Sequence, residues 1–346
     1  MLINNSLGQL ISKRWNPYLE FFSPEDKDIY FREEYVKLYE SKKDTAECYV
    51  YQKDEKVLLF PYLKRKIDLL EDEYYDFETA YGYGGPIANT KDEHFCREAW
   101  LIFEEFCQAN NIVCGFIRFH PLLINYELFQ DKNFLMKIYF NRPTIGIDLA
   151  FLESSIYTGV LRNVRKAENS NLRFAVDDNL ENINEFINIY RITMESVKAD
   201  SFYFFSSEYY KKIKLNRNAF LGLVYSGSMI ISAAIFFHFG VYGHYHLGGS
   251  LREYLPFRPN DLLFYKTALY LREKGVKIFH LGGGVSQDIN DSLLRFKRKL
   301  SDSEYNFYVG KTIFNKRIYD EICKKWEEEF PEKSEKYKNF FLRYRY

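Results

Sequence analysis

The sequence predicts a mixed α/β chain of the α+β kind, divided into two domains of similar plan. Three observations lead there. At 346 residues the chain exceeds the length at which a single hydrophobic core usually stops growing. Short runs rich in β-branched and aromatic residues alternate with amphipathic helical patterns from end to end. The same order of helix, strand hairpin, glycine-bearing segment, amphipathic helix and strand is met twice, which reads as a structural duplication without sequence identity.

In the first half, Ser23-Pro24-Glu25 has a capping serine, a proline at the first helical position and an acid in the first turn. That predicts a helix running on through Tyr35 and Leu38. Glu47–Gln52 and Lys56–Leu63 read as two strands about a Lys53-Asp54-Glu55 turn, and Asp76–Pro86 as an aromatic, glycine-rich loop. Lys91–Asn110 is an amphipathic helix, followed by a buried strand at Ile112–Phe119. In the second half a short strand, Thr144–Leu149, precedes a basic helix, Ile156–Asn169, and a strand, Leu172–Val176. Asn182–Val197 is helical. Strands follow at Phe220–Tyr225, Met229–His238 and Tyr242–Gly248, then a helix at Asn260–Lys274 and a strand at Val276–Leu281. No long Ser/Gly/Pro linker separates the halves. The expected domains are 1–148 and 149–317, with 318–346 returning to pack on the first.

Composition narrows the function. The chain is 47% hydrophobic and 28% charged, which describes a globular protein. Forty-eight basic residues balance 48 acidic ones, which argues against a general DNA-binding or RNA-binding role. Five cysteines without a CxxC pair read as reduced thiols in a cytoplasmic protein, and no metal site is expected. Met1–Leu10 has no basic region followed by an apolar run, so no signal peptide is expected. Ala219–Ser250 lacks Lys, Arg, Asp and Glu over a length able to span a bilayer. Ser226-Gly227-Ser228 and Gly240-Val241-Tyr242-Gly243 interrupt it, however, and it carries three histidines. Buried neighbouring strands account for it better than a transmembrane segment.

The chemistry gathers near the end. Val276–Leu281 leads into Gly282-Gly283-Gly284, where the backbone can approach a ligand or take positive φ. Asp291–Leu300 then reads as a helix carrying Arg295, Lys297, Arg298 and Lys299. Cations beside a glycine turn can hold a phosphate or a developing oxyanion. The competing reading is a tight turn before a solvated basic face. Neither the GxxxxGK[ST] nor the GxGxxG nucleotide pattern is present.

These pieces, His280-Leu281-Gly282-Gly283-Gly284 and Leu293-Leu294-Arg295-Phe296-Lys297, resemble the FemABX-like branch of the GNAT acyltransferases. Upstream segments are similar in the same order: Arg162–Glu168, Tyr190–Tyr210 with Phe202-Tyr203-Phe204, Tyr245–Ser250, and Asn260-Asp261-Leu262-Leu263. Tyr81–Pro86 and Arg118-Phe119-His120-Pro121 resemble relatives tied to cell-surface polysaccharides. The resemblance implies two tandem GNAT-like domains, each a central, mostly antiparallel mixed sheet flanked by helices. It implies N-acyl transfer from acyl-CoA or aminoacyl-tRNA to an amino-sugar or peptidoglycan-precursor acceptor, with no permanently bound cofactor and with peripheral contact to a lipid-linked acceptor allowed. The site it implies lies in the second domain. Lys297 is the first candidate for the catalytic group, with Arg295, Arg165, Tyr245, Tyr203, Gly283 and Asn260 as substrate-binding residues.

Three departures from the family pattern matter. His120-Pro121 stands where the peptidoglycan branch has Asp-Pro. A histidine there is a candidate general base, the competing reading being a buried ring bonded to backbone. A coiled-coil insertion is missing, and Phe257-Arg258-Pro259 replaces the acyl-CoA pyrophosphate signature. Lys64-Arg65-Lys66 reads as a solvated strand end. His244 and His246 read as packing residues. A non-catalytic protein that binds a glycan precursor or scaffolds a biosynthetic complex is the alternative of another class.

Overall fold

The structure, a computed structural model, describes residues 3–5, 9–288 and 290–346. Met1, Leu2 and Ser6 to Gly8 of the N-terminal stretch read above lie outside the described residues. The chain forms two compact units, Met1–Asn141 with Phe307–Tyr346, and Arg142–Asn306. The sequence reading placed these divisions at 148/149 and 317/318. No turn signal marks either point, because each division falls inside a continuous strand.

The first unit begins with β1 (Ile3–Asn5), β2 (Gln9–Ser12), β3 (Asp44–Lys53), β4 (Lys56–Ile67), β5 (Tyr74–Glu78) and β6 (Ile87–Ala88). Helix α1 (Glu93–Ala109) and strand β7 (Ile112–Arg118) follow. The sheet runs β1-β2-β3-β4-β5-β7 and is antiparallel except for the parallel β5–β7 pair. Asp54, with φ 56°, makes the tight β3–β4 turn. Asp92 caps α1 by accepting from the backbone N–H groups of His94 and Phe95. The helix then sets Phe95, Ala99, Trp100 and Phe103 against Phe60, Tyr62 and Phe77 of the sheet.

The helix expected from Ser23 is not formed. Single helical turns at Ile29–Phe31, Glu33–Val36 and Lys37–Tyr39 replace it. Ser23 donates to Asp26. Buried Asp28 accepts from Ile29 N–H, and the adjacent Tyr30 and Phe31 are both buried, which a single helical stripe does not accommodate.

The second unit contains the end of β8 (Lys137–Asp148), then α2 (Thr158–Asn169), β9 (Leu172–Asp177), α3 (Ile183–Ser196) and α4 (Ser207–Lys214). It continues with β10 (Ala219–Ser226), β11 (Met229–Phe239), β12 (Tyr242–Ser250), α5 (Pro259–Glu273), β13 (Ile278–Gly283) and α6 (Ser292–Arg298). Its sheet order is β9-β10-β11-β12-β13-β8, parallel only at β12–β13. The stretch without charges is therefore the three central strands. No helix among the described residues is long and apolar enough to cross a membrane.

Strand β14 (Glu304–Ile313) carries the chain back to the first unit, where Val309 to Ile313 pair antiparallel with β7. The sequence reading missed it, because its exposed and buried positions do not follow a clean alternation. Helices α7 (Lys316–Glu329) and α8 (Pro331–Tyr337) end the chain. Ile322 and Trp326 pack with Ile67 and Val113.

A buried charge ties this C-terminal segment down. Asp76 on β5 is fully buried and accepts from Arg65 Nε at 2.8 Å, Arg345 Nε at 2.8 Å and the Tyr344 hydroxyl at 2.7 Å. Arg65 also reaches Glu78 at 2.5 Å. The expectation of a solvated Lys64-Arg65-Lys66 end fails at Arg65, which the strand alternation turns inward while Lys66 faces out. Burial alone would raise the Asp76 pKa, but Arg65 and Arg345 outweigh it and hold the carboxyl below the ordinary range. Asp76→Ala should cost about 3–5 kcal/mol at neutral pH by taking from buried Arg65 and from Arg345 the carboxylate they share, as read by urea unfolding. Because the folded pKa is depressed, this contribution is present above the ordinary carboxylate value. The gap between wild type and Asp76→Asn should close as pH falls through the folded pKa.

Candidate functional site

The second unit contains an opening made by its own backbone. The parallel pair β12–β13 is joined only at Tyr242–Ile278, Gly243–Phe279 and His244–His280. Beyond that point each strand follows its outer neighbour. Strand β12 stays with β11 to Ser250, and β13 stays with β8 to Gly283. Both outer ladders slip register just past the split, between Tyr245 and Leu247 on β12 and between His280 and Gly282 on β13. A bulge bends its strand and adds local twist, so two bulges at one level splay the pair into a fork. Gly282, with φ +76°, supplies the backbone freedom on the β13 side.

Lys297 enters this fork from α6. Leu294 and Lys297 form the buried face of that helix, whereas Arg295 is exposed, since two residues turn the helix by about 200°. Lys297 is 3% exposed. Its Nζ donates to the Gly283 carbonyl at 2.7 Å and lies 5.4 Å from the Tyr245 ring centre. Tyr245 packs on Phe264, which meets Phe296 and Phe279 to complete an aromatic lining. Burial pushes the Lys297 ammonium down to about 7; Asp291 pulls the other way and Arg142 adds to the fall. Near neutral pH the same nitrogen can donate a proton or accept one, which suits both oxyanion stabilisation and proton transfer.

The loop from β13 to α6 is built around two charges. Asp291 caps α6 through Leu293 and Leu294 N–H, and also accepts from Val285 and Ser286 N–H at 3.0 Å each. Arg142 donates from one guanidinium nitrogen to the carbonyls of Gly284 at 2.8 Å and Val285 at 2.9 Å. A side chain at Gly284 would collide with Asp291, its Cβ falling 2.6 Å from the carboxylate.

Residues 154–298, which hold this fork and the lysine, match the acetyltransferase (GNAT) domain family. This segment is similar to a GNAT acetyltransferase domain. The whole fold is similar to the crystal structure of FemX, with a TM-score of 0.66 at 14% identity, over 89% of this chain and 98% of that one. L-PGS from Bacillus licheniformis gives 0.58 at 14% identity, over 87% and 92%. The C-terminal domain of a protein assigned as a lysylphosphatidylglycerol synthetase from Agrobacterium fabrum gives 0.57 at 13%, over 86% and 90%. No curated protein sequence matches the chain. The fold class is thus the expected mixed α/β, a fold shared with FemX along most of both chains.

Among the residues singled out in the sequence, the structure brings together Lys297, Gly283 and Tyr245 in the GNAT domain. The others lie outside that set of contacts. Arg165 is exposed on α2, whose buried face is Val160, Val164 and Ala167. Tyr203 is half-buried and its carbonyl accepts from the Tyr190 hydroxyl at 3.0 Å. Asn260, in the first turn of α5, accepts through its side-chain oxygen from Ser250 at 2.5 Å and Ser232 at 3.0 Å. His246 bonds the Tyr209 hydroxyl, and His244 stacks edge-on to His280.

His120 lies in the first unit, fully buried, and departs from the role of an open base. Its Nδ1 accepts from Leu123 N–H at 3.2 Å, so Nε2 carries the proton and donates to Asp28 at 2.8 Å. Both ring nitrogens are engaged by the protein. Sequence reading missed Arg142 and the part played by Asp291. Asp291 was read only as the start of a helix, and Arg142 lies 155 residues before Lys297 with no local pattern to link them.

A buried lysine whose pKa falls from 10.5 to about 7 leaves a pH signature. The folded state resists the ammonium form, so the cost is fully present below the folded pKa and is relieved as pH rises toward the unfolded one. Lys297→Met should therefore raise stability at pH 6, by up to about 5 kcal/mol at 1.36 kcal/mol per unit, and flatten its rise between about pH 7 and 10. Chemical unfolding across that range checks both.

Proposed function

We propose that the chain catalyses N-acyl transfer to an amine of a nucleotide- or lipid-linked sugar used in a cell-surface polymer. The observation that supports this reading is the buried Lys297 amine in the β12–β13 fork, poised to titrate near neutrality. In this reading the acyl carbonyl oxygen takes the place of the Gly283 carbonyl as the acceptor of the Lys297 hydrogen bond. The acceptor amine attacks the carbonyl carbon, and the ammonium stabilises the tetrahedral oxyanion. That attack forms the C–N bond, and collapse of the intermediate re-forms the carbonyl and breaks the bond to the donor's sulfur or oxygen. The amine proton ends on that leaving group. The aromatic lining keeps water from competing and strengthens the electrostatic contact. The acceptor class rests on the resemblance of the glycine-rich and His120-Pro121 segments to polysaccharide-linked relatives. It carries with it a cytoplasmic reaction and peripheral contact with a membrane that holds a lipid-linked acceptor.

Acyl-CoA is the first donor in this account, because a splayed parallel pair leaves backbone groups open for the pantetheine arm. Aminoacyl-tRNA is the second, and one observation favours it. At the start of α5, where an acyl-CoA pyrophosphate would meet free N–H groups, Arg258 takes left-handed backbone (φ 67°) and Asp261 buries a carboxyl in the first turn. An acid there opposes an anion.

Intact-mass and product assays with acyl-CoAs, aminoacyl-tRNA and amino-sugar nucleotides test the proposal. Lys297→Ala should lower kcat on the order of 100-fold to 1,000-fold, the usual loss of an oxyanion donor. Activity should fall as pH rises through about 7, where the ammonium is lost, and this limb should vanish in Lys297→Arg. Full activity in Lys297→Ala would sink the assignment. Binding of a glycan precursor with no donor bound would favour the non-catalytic alternative.

A further inference from the structure

The carbonyl that holds Lys297 is itself held by its neighbours. Gly283 ends β13, and a Cβ built there would lie 3.0 Å from Arg142 Cδ and 3.0 Å from the Pro143 carbonyl, so the Arg142 stem lies across it. One guanidinium nitrogen then spans the next two carbonyls, Gly284 at 2.8 Å and Val285 at 2.9 Å. From the other side, Asp291 takes the N–H groups of Val285 and Ser286. A cation on the carbonyls and an anion on the N–H groups fix one segment with opposite polarity. The Gly283 carbonyl, one residue upstream, is left with a single direction in which to point, toward Lys297 Nζ at 2.7 Å.

We propose that Arg142 is a positioning residue for acyl transfer: by clamping the Gly284 and Val285 carbonyls it fixes the Gly283 carbonyl that sets where Lys297 Nζ sits. The inference rests on the functional reading above and adds a residue to it. Arg142 has a second effect through its charge. Asp291 from the cap of α6 and Arg142 from β8 act on the Lys297 amine in opposite senses, and the Tyr245 ring faces it from β12. Removing the Arg142 charge leaves burial as the opponent of Asp291, so Lys297 should hold its proton to higher pH. A cation that sets both the place and the protonation of the reacting amine would couple the loop's order to the reaction.

The test uses the full chain and two substitutions. Arg142→Gln removes the charge and keeps a donor, while Arg142→Lys keeps the charge and falls short of the two carbonyls. The Lys297 side-chain carbon shift, identified by its loss in Lys297→Met, is followed by NMR from about pH 5 to about pH 11, the range that brackets the shifted and ordinary lysine values. The titration midpoint should move up in Arg142→Gln and stay in place in Arg142→Lys. Amide exchange at Val285 and Ser286 should quicken in both. With the acyl donor, Arg142→Lys should lose kcat on the order of 10-fold with KM little changed, the mark of a misplaced rather than a missing group.

A folded Arg142→Gln protein with the wild-type midpoint overturns the proposal. If Arg142→Gln does not fold, wild-type amide exchange at Val285 and Ser286 in Arg142→Lys overturns it instead. Absence of acyl transfer by the wild type would remove the functional reading, while the midpoint and exchange still decide the place of Arg142.

Discussion

The site depends on one backbone event, the parting of β12 and β13 after three paired residues. A parallel pair in the middle of a sheet normally continues, because every N–H and C=O left unpaired in a buried place has a cost. Here the outer ladders compensate. Strand β11 keeps the outward-facing β12 groups bonded, β8 keeps those of β13, the groups that face the fork are left open, and the two bulges take up the bend. The opening is stable because each strand lost only one of its two partners. Into it goes a lysine, whose amine finds the Gly283 carbonyl as acceptor and the Tyr245 ring beside it.

The first unit shows what happens when the outer ladders keep their register. Its parallel pair, β5–β7, follows the same order of three antiparallel strands, a helix and a parallel return. That pair stays joined to Glu78–Phe116, and Thr79 N–H continues it by donating to the Phe116 carbonyl. A Phe77 ring fills the space over Gly115, where an added Cβ would lie 2.1 Å from it. Arg65, Asp76, Glu78 and Arg118 then close the level with charge pairs. One plan therefore serves two ends: a closed ledge that anchors the C-terminal segment, and a fork that holds a buried amine.

Much of this was legible in the sequence. The amphipathic helix at α1 and the central strands announced themselves because period and turn residues are local properties. Gly283, Tyr245 and Lys297 stood out from their motifs, and the structure joins them. The failures are equally physical. The helix expected from Ser23 had its cap and proline but not its apolar stripe, and the Asp28–His120 contact took precedence. Arg65 read as solvated because nothing local reveals a buried Asp76 on the next strand. Arg295 and Arg165 have the right charge and the wrong face. Arg142 was invisible, since its partners are backbone carbonyls far along the chain.

The central claim is that the acyl group reacts inside the fork beside Lys297, whichever carrier brings it. Photo-crosslinking tests this most directly, with the same photoreactive acyl group carried on coenzyme A and on an aminoacyl-nucleotide mimic of the tRNA end, followed by peptide mapping. The account predicts labelling at Tyr245, at Gly282–Gly284 or at the α6 segment around Lys297, with at least one of the two carriers. Labelling confined to residues outside the fork with both carriers would contradict it.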